Sequence, residues 1–286
     1  MFSRAEHALA LLCAILPAAC SHHPHSQARI HYQLGPPYQA AGLWRYPQES
    51  YDFAETGLAV IDPPDHPPLT ADGETFDPTA VAVAHPTLQL PAIARITDLE
   101  TGRQVIVRIN DRGPFDPGRL LGVTPRVAEL LGFPAFGVAA VRLEVLAAES
   151  HAASDSLPGA PHLAMSAAPR IAVEAVSLMA SARASQTGDP LPLPSPPPTI
   201  PLQLPEAVTR VPPDPGQLWI FLSTFHERRY AEAQRAKLKK LPGRVLPAAA
   251  DEYRARLGPF PTISQADAAL RQAIVAGVPD ARIAVE

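Results

Sequence analysis

Residues 104–109 alternate: Val105, Val107 and Ile109 fall on one side, Ile106 and Arg108 on the other. That two-residue period predicts a half-buried strand. The strand runs straight into Asn110, Asp111, Arg112, Gly113 and Pro114, an arrangement suited to holding an acid at the rim of a sheet. "TGLAVID" and "AAVRLEVL" predict further strands, and "ETG" a hairpin turn with Gly102 able to take positive φ. "TPRVAELLGF" predicts a short helix with Thr124 as N-cap, Pro125 in its first turn and Gly132 as stop. Many short strands and one small helix over residues 51–147 predict a compact β-barrel.

The pattern changes twice after that. Residues 148–216 turn first to Ala and Ser, then to "DPLPLPSPPPTIPLQLPEAVTRVPPDPG", and predict an extended, semi-rigid spacer without a core. "VEAVSLMASARA" inside it predicts at most a transient helix. Residues 217–286 regain periodicity: strand "LWIFLSTF", amphipathic helix "ERRYAEAQRAKLKKL" with a stripe through Tyr230, Ala233 or Gln234, Lys237 or Leu238, and Leu241, strands "GRVLPAA" and "EYRARLGPF", helix "SQADAALRQAIVAG" between Ser264 and Gly277, and a closing "ARIAVE". The order β-α-β-β-α-β predicts an open sheet with both helices on one face. Alternation turns Ile220, Leu222, Ala255 and Leu257 toward the helices. It leaves Trp219, Phe221, Ser223, Arg254 and Arg256 on the open face, where aromatics and guanidiniums suit stacking and hydrogen bonding to sugars.

Composition narrows the class. The chain has 286 residues, 35 of them Pro, and a formal net charge of −4. No strongly basic block is present, which argues against a nucleic-acid partner, because such binding rests on phosphate neutralisation. An uncharged sugar is unhindered. Arg4 followed by "ALALLCAILPAA" reads as an export signal over residues 1–19, too short to span a bilayer. "LPAAC" resembles the lipobox of bacterial lipoproteins, with Cys20 as the lipidated residue and Pro17 in place of the usual aliphatic. Ser21 after the Cys implies outer-membrane retention; simple cleavage to a soluble periplasmic protein is the alternative. The two cysteines are Cys13, inside the signal, and Cys20, so the mature chain forms no internal disulfide and no thiolate metal site. His22, His23 and His25 belong to a tether and lead-in over residues 20–50.

Two segments upstream of Asp111 also carry chemistry. "TADGETFD" is a Gly-punctuated turn with Asp72, Glu74 and Asp77. "VAVAHPTLQLP" leaves His85 at the end of an apolar run. Glu74, His85 and Asp111 together suit acid/base work on a glycosidic bond, with Asn110 and Arg112 as substrate-binding or orienting groups. Each residue also has a plainer reading, as a turn former or a hydrogen-bonded structural histidine.

"TADGETFDPTAVAVAHPTL" and "RITDLETGRQVIVRINDRGPFDPGRLL" resemble the rare lipoprotein A (RlpA) family over residues 31–146. The resemblance implies a double-psi β-barrel and lytic transglycosylase activity on peptide-free peptidoglycan at the division septum. It makes Glu74 and Asp111 the catalytic carboxylates and His85 a supporting residue. Asp111 is expected to be the acid, with Glu74 stabilising charge or positioning it. No cofactor or metal is implied. Residues 217–286 are similar to the SPOR domain, which binds denuded septal glycan. Glycan strands are therefore the expected partner, with the membrane through a lipid anchor and division-site proteins besides. The chain departs from the family pattern at three places. "GLAVIDPPDHPP" stands where "GIASWYG" is usual, Gly122 replaces a common Asp, and Pro91 replaces a Gly. The lost Trp-Tyr pair favours a competing reading, a weakly active or inactive protein that only binds septal glycan.

Overall fold

A computed structural model describes residues 28–63, 65–161, 204–248 and 251–286. Cys20, the signal segment, the three tether histidines and "VEAVSLMASARA" lie outside them. In the lead-in, β1 (Tyr38–Ala40) and β2 (Leu43–Arg45) form a small hairpin. The first domain contains β3 (Ala54–Ile61), β4 (Ala82–Ala84), β5 (Ala92–Asp98), β6 (Arg103–Asp111), β7 (Arg119–Val123), α1 (Pro125–Leu131) and β8 (Val138–Val145).

These strands close on themselves. β3 pairs with β7 and β8, β8 with β5, β5 with β6, and β6 with β4, which returns to β7. The two parallel pairings, β3 with β7 and β4 with β6, fit the expected double-psi arrangement. Closure pairs each of the six strands on both sides and leaves an edge at the start of β6. Val105, Val107 and Ile109 point into the barrel as their spacing predicts, and Ile96, Leu121, Val141 and Leu143 meet them there. The β5–β6 hairpin turns at Gly102 with φ 69°. Thr124 accepts a bond from Val127 N at the start of α1, and Gly132 ends it at φ 77°. Both caps are where the sequence put them.

The segment expected to be spacer is partly built. α2 (Ala147–Ser154) packs on β5, with Ser150 Oγ donating to the Ile93 carbonyl and accepting from the Ile93 N–H. Small Ala and Ser side chains allow that close approach. β9 (Thr209–Arg210) adds to β6 at Arg103 and Gln104.

The second domain runs β10 (Leu218–Phe225), α3 (Arg228–Ala236), β11 (Gly243–Pro247), β12 (Tyr253–Phe260), α4 (Ile263–Val275) and β13 (Arg282–Val285), in the order predicted. Its sheet order is β11-β12-β10-β13. Ile220, Leu222, Ala255 and Leu257 pack against Ala231, Ala266 and Leu270 of the helices. Two local expectations shift. α4 is capped by the Thr262 hydroxyl, which accepts from Gln265 N, rather than by Ser264. α3 buries Ala231 and leaves Tyr230 half exposed, so the stripe starts one residue later than expected, while Leu238 and Leu241 beyond it pack inward as expected.

Barrel and second domain share a seam. Leu58, fully buried, turns outward from β3 into the apolar cluster of Leu270 and Ile283. Arg119 makes a two-pronged contact with Asp267 at 2.8 and 2.9 Å, and Arg282 pairs with Glu55.

Candidate active site

The residues before the rim are a tight turn. Thr70 N donates to the Glu74 carbonyl, and Asp72 Oδ1 accepts from Thr70 Oγ1 and Glu74 N. Gly73 sits at φ 85°, where an added Cβ would strike the Arg29 carbonyl of the lead-in strap. This turn is bolted to the end of β6 by backbone and side chain alike. Asp72 N donates to the Asn110 carbonyl and Ala71 N to Asp111 Oδ1.

Beneath the turn lies a buried charge network. Arg108 Nη2 is 2.5 Å from Glu74 Oε1 and 3.7 Å from Asp72 Oδ2, and Asn110 Nδ2 donates to Glu74 Oε2 at 2.7 Å. All four side chains are buried. Two carboxyls and one guanidinium cannot all be comfortable there. Burial and the neighbouring Glu74 charge push the Asp72 carboxyl up to about 7. Arg108 was expected merely on the strand's opposite face; it is the counter-ion of the site.

Asp111 is placed differently. Oδ1 accepts from Ala71 N at 2.8 Å and Arg112 N at 2.7 Å, and Oδ2 lies 2.7 Å from His66 Nε2. Burial raises its carboxyl, while these bonds pull it back down. The His66 ring stacks on Phe76 with centroids 3.8 Å apart, and its Nδ1 faces the Pro67 carbonyl at 2.8 Å. Glu74, Asn110 and Asp111 line one groove of about 710 Å³, with Asp62, Phe76, Asp77 and Arg108.

His85 is not in that groove. Its backbone N–H donates to the Asp111 carbonyl, but the ring is sealed under Phe53 with Nδ1 accepting from Thr87 N and Leu88 N. Burial, with Arg112 and Arg45 nearby, lowers its pKa to about 3, so it stays neutral. It shapes the loop behind Asp111. The Arg112 side chain also turns away from the groove, donating to the carbonyls of His85, Leu88, Gln33 and Leu34 and tying down the lead-in. His66 was not singled out from sequence. It sat inside "DPPDHPP", a stretch that registers first as the missing aromatic motif. Flanking prolines, which fix the backbone around one imidazole, were the available signal.

The second candidate surface is the open sheet face of the second domain. Trp219 and Phe221 do lie there, but they are buried rather than bare. Arg256 stacks 3.9 Å and Arg244 5.4 Å from the Trp219 ring centroid; Arg254 lies 5.0 Å and Arg282 5.9 Å from that of Phe221. Three of these guanidiniums also have partners within the protein: Arg256 pairs with Glu286, Arg282 with Glu55, and Arg254 donates to Thr224 Oγ1.

Comparison with known proteins agrees with this division. Residues 54–143 match the lytic transglycolase family and residues 214–283 the SPOR domain. The chain is 36% identical over 124 residues to the endolytic peptidoglycan transglycosylase RlpA of Rickettsia bellii, covering 42% of this chain and 55% of that one. It is 45% identical over 96 residues to the RlpA of Escherichia coli K12, covering 33% of this chain and 26% of that one. It thus spans between about a quarter and just over half the length of these relatives. The fold and the matches define a double-psi barrel of the lytic transglycolase type joined to a SPOR module. In these two regions the chain is similar to RlpA proteins.

Arg108→Met should cost roughly 3–5 kcal/mol at neutral pH, because it strands buried carboxylates without a counter-ion. The loss should shrink as pH falls below about 7, where Asp72 takes up a proton and one buried negative charge disappears. Thermal melts of both proteins across that range check it.

Proposed function

We propose that the barrel groove cleaves the β-1,4 bond between N-acetylmuramic acid and N-acetylglucosamine in peptide-free glycan, without water, during cell separation. The C6 hydroxyl of the muramic residue attacks its own anomeric carbon and leaves a 1,6-anhydro end. The reaction needs one proton delivered to the leaving oxygen and one removed from the attacking hydroxyl. Asp111 is the carboxyl through which the proton moves, and Glu74, with both oxygens engaged by Arg108 and Asn110, positions the turn that holds it. The observation that carries this reading is Asp111 on a groove wall, fixed by two backbone N–H groups and an imidazole. No cofactor is required.

The SPOR domain holds denuded glycan through Arg254, Arg256, Trp219 and Phe221 and thereby delivers the enzyme to septal wall. We place the protein in the cell envelope facing the periplasm, anchored to the outer membrane by lipid on Cys20, where division-site proteins are further partners. The competing reading, glycan binding without cleavage, draws on the missing Trp-Tyr pair and the near-complete burial of Asp111.

Wild-type protein incubated with peptide-free glycan should yield 1,6-anhydro ends by mass spectrometry, and Asp111→Asn should lower the rate roughly 10²–10⁴-fold. Absence of anhydro product from the wild type leaves the binding-only reading. Changing Arg254 and Arg256 to Ala should reduce retention on amidase-treated sacculi; equal retention removes this face from glycan binding. Cys20→Ala should move the protein from the membrane fraction to the soluble periplasmic fraction on cell fractionation.

A further inference from the structure

The groove holds a carboxyl that neither the family resemblance nor the three expected residues include. Asp62 follows the last residue of β3, where the backbone N–H donates to the Val123 carbonyl of the neighbouring β7. Its side chain lines the same groove as Asp111 and, among the described residues, its carboxyl makes no hydrogen bond. The space it fills belongs to β7. A Cβ built on Gly122 would run into Asp62 Oδ1. Thus the segment that replaces the aromatic pair meets, at one point, Gly122, where the resemblance implies an Asp: the carboxyl just past the end of β3 fills the space a side chain on β7 would take.

We propose that Asp62 is a second catalytic carboxyl of this groove, donating the proton to the leaving glycosidic oxygen while Asp111, held by His66, takes the proton of the C6 hydroxyl. This rests on the transglycosylase reading above and moves the acid role from Asp111 to Asp62. The bonds balance as follows. The Asp62 O–H breaks as the leaving oxygen gains its hydrogen and parts from C1. O6 bonds to C1, and its proton passes to the Asp111 carboxylate. The proton then left on Asp111 and missing from Asp62 is exchanged through solvent, and no water is consumed.

The environments favour that division. Asp111 receives two backbone N–H bonds and His66, all of which stabilise its charged form. Among the described residues, Asp62 receives none. It faces Asp111, whose charge opposes its ionisation, and His66, which favours it; burial is the largest effect, and the net result raises its carboxyl to about 6. Farther along the groove, Arg108 is taken up by Glu74 and Asp72, Asp77 is bound to Thr79, and Glu206 is paired with Arg126. Burial raises both carboxyls, but only Asp111 has backbone N–H groups and an imidazole opposing that rise, and such a difference in environment suits an acid and a base sharing one site.

The test is kinetic. Asp62→Asn should lower kcat about 10²-fold or more with KM little changed. Wild-type activity should fall as pH rises through about 6, since the acid must be protonated. That alkaline limb should be missing from the residual activity of Asp62→Asn. The decisive variant moves the carboxyl back: Asp62→Ala with Gly122→Asp should recover at least ten-fold over Asp62→Ala alone, a gain that a merely structural Asp62 would not permit. An active wild type whose Asp62→Asn variant keeps both its kcat and its alkaline limb would overturn this assignment and leave the transglycosylase reading intact. A wild type that makes no anhydro ends would overturn both.

Discussion

The site depends on one buried ion pair. Arg108 projects from the outer side of a strand that packs its other face into the barrel, and would be stranded without Glu74. Pairing with it draws the turn of residues 70–75 down onto β6. Only in that position can Ala71 offer its N–H to Asp111 and Asp72 reach the Asn110 carbonyl. The same pairing uses up Glu74 as a free carboxyl. Glu74, expected from the sequence to stabilise charge or position the acid, is thereby a clamp that holds the turn beside Asp111.

The two domains meet through apolar contact stiffened by ion pairs. Leu58 leaves the barrel wall for the core of the second domain, while Arg119 and Asp267 lock β7 to α4. Glu55 of β3 reaches Arg282, which also lies over Phe221 on the sheet face. A groove of about 520 Å³ runs between that face and the barrel, bordered by Glu55, Glu144, Arg142 and Arg254. A strand lying along the arginine-covered sheet would therefore run beside the barrel wall rather than away from it.

Much of the architecture was legible because the signals were local. The two-residue period of 104–109, the Thr124 and Gly132 caps and the alternation along 218–222 depend on near neighbours, and each held; beyond Phe221 a register shift turns Ser223 to Gln234 of α3 instead of the open face. The misplaced details were long-range. His85 looked chemical because an imidazole ended an apolar run, yet Phe53 covers it and two loop N–H groups occupy its nitrogen. Arg112 stood next to Asp111, but its side chain leaves the end of β6 for the carbonyls of His85, Leu88, Gln33 and Leu34. α2 was missed because its stability comes from Ser150 meeting Ile93 across 57 residues, which no local window contains. His66 and Asp62 were hidden for the same reason: only closure of the barrel brings the end of β3 against the end of β6.

The vacancy at Gly122 bears on how such chains are compared. Read along the chain, residues 62 and 122 are sixty positions apart and unrelated. In space, the Asp62 carboxyl fills the room that a side chain on residue 122 would need. Homologues that appear inactivated at one column merit inspection of whatever side chain the neighbouring strand supplies to the same point in space.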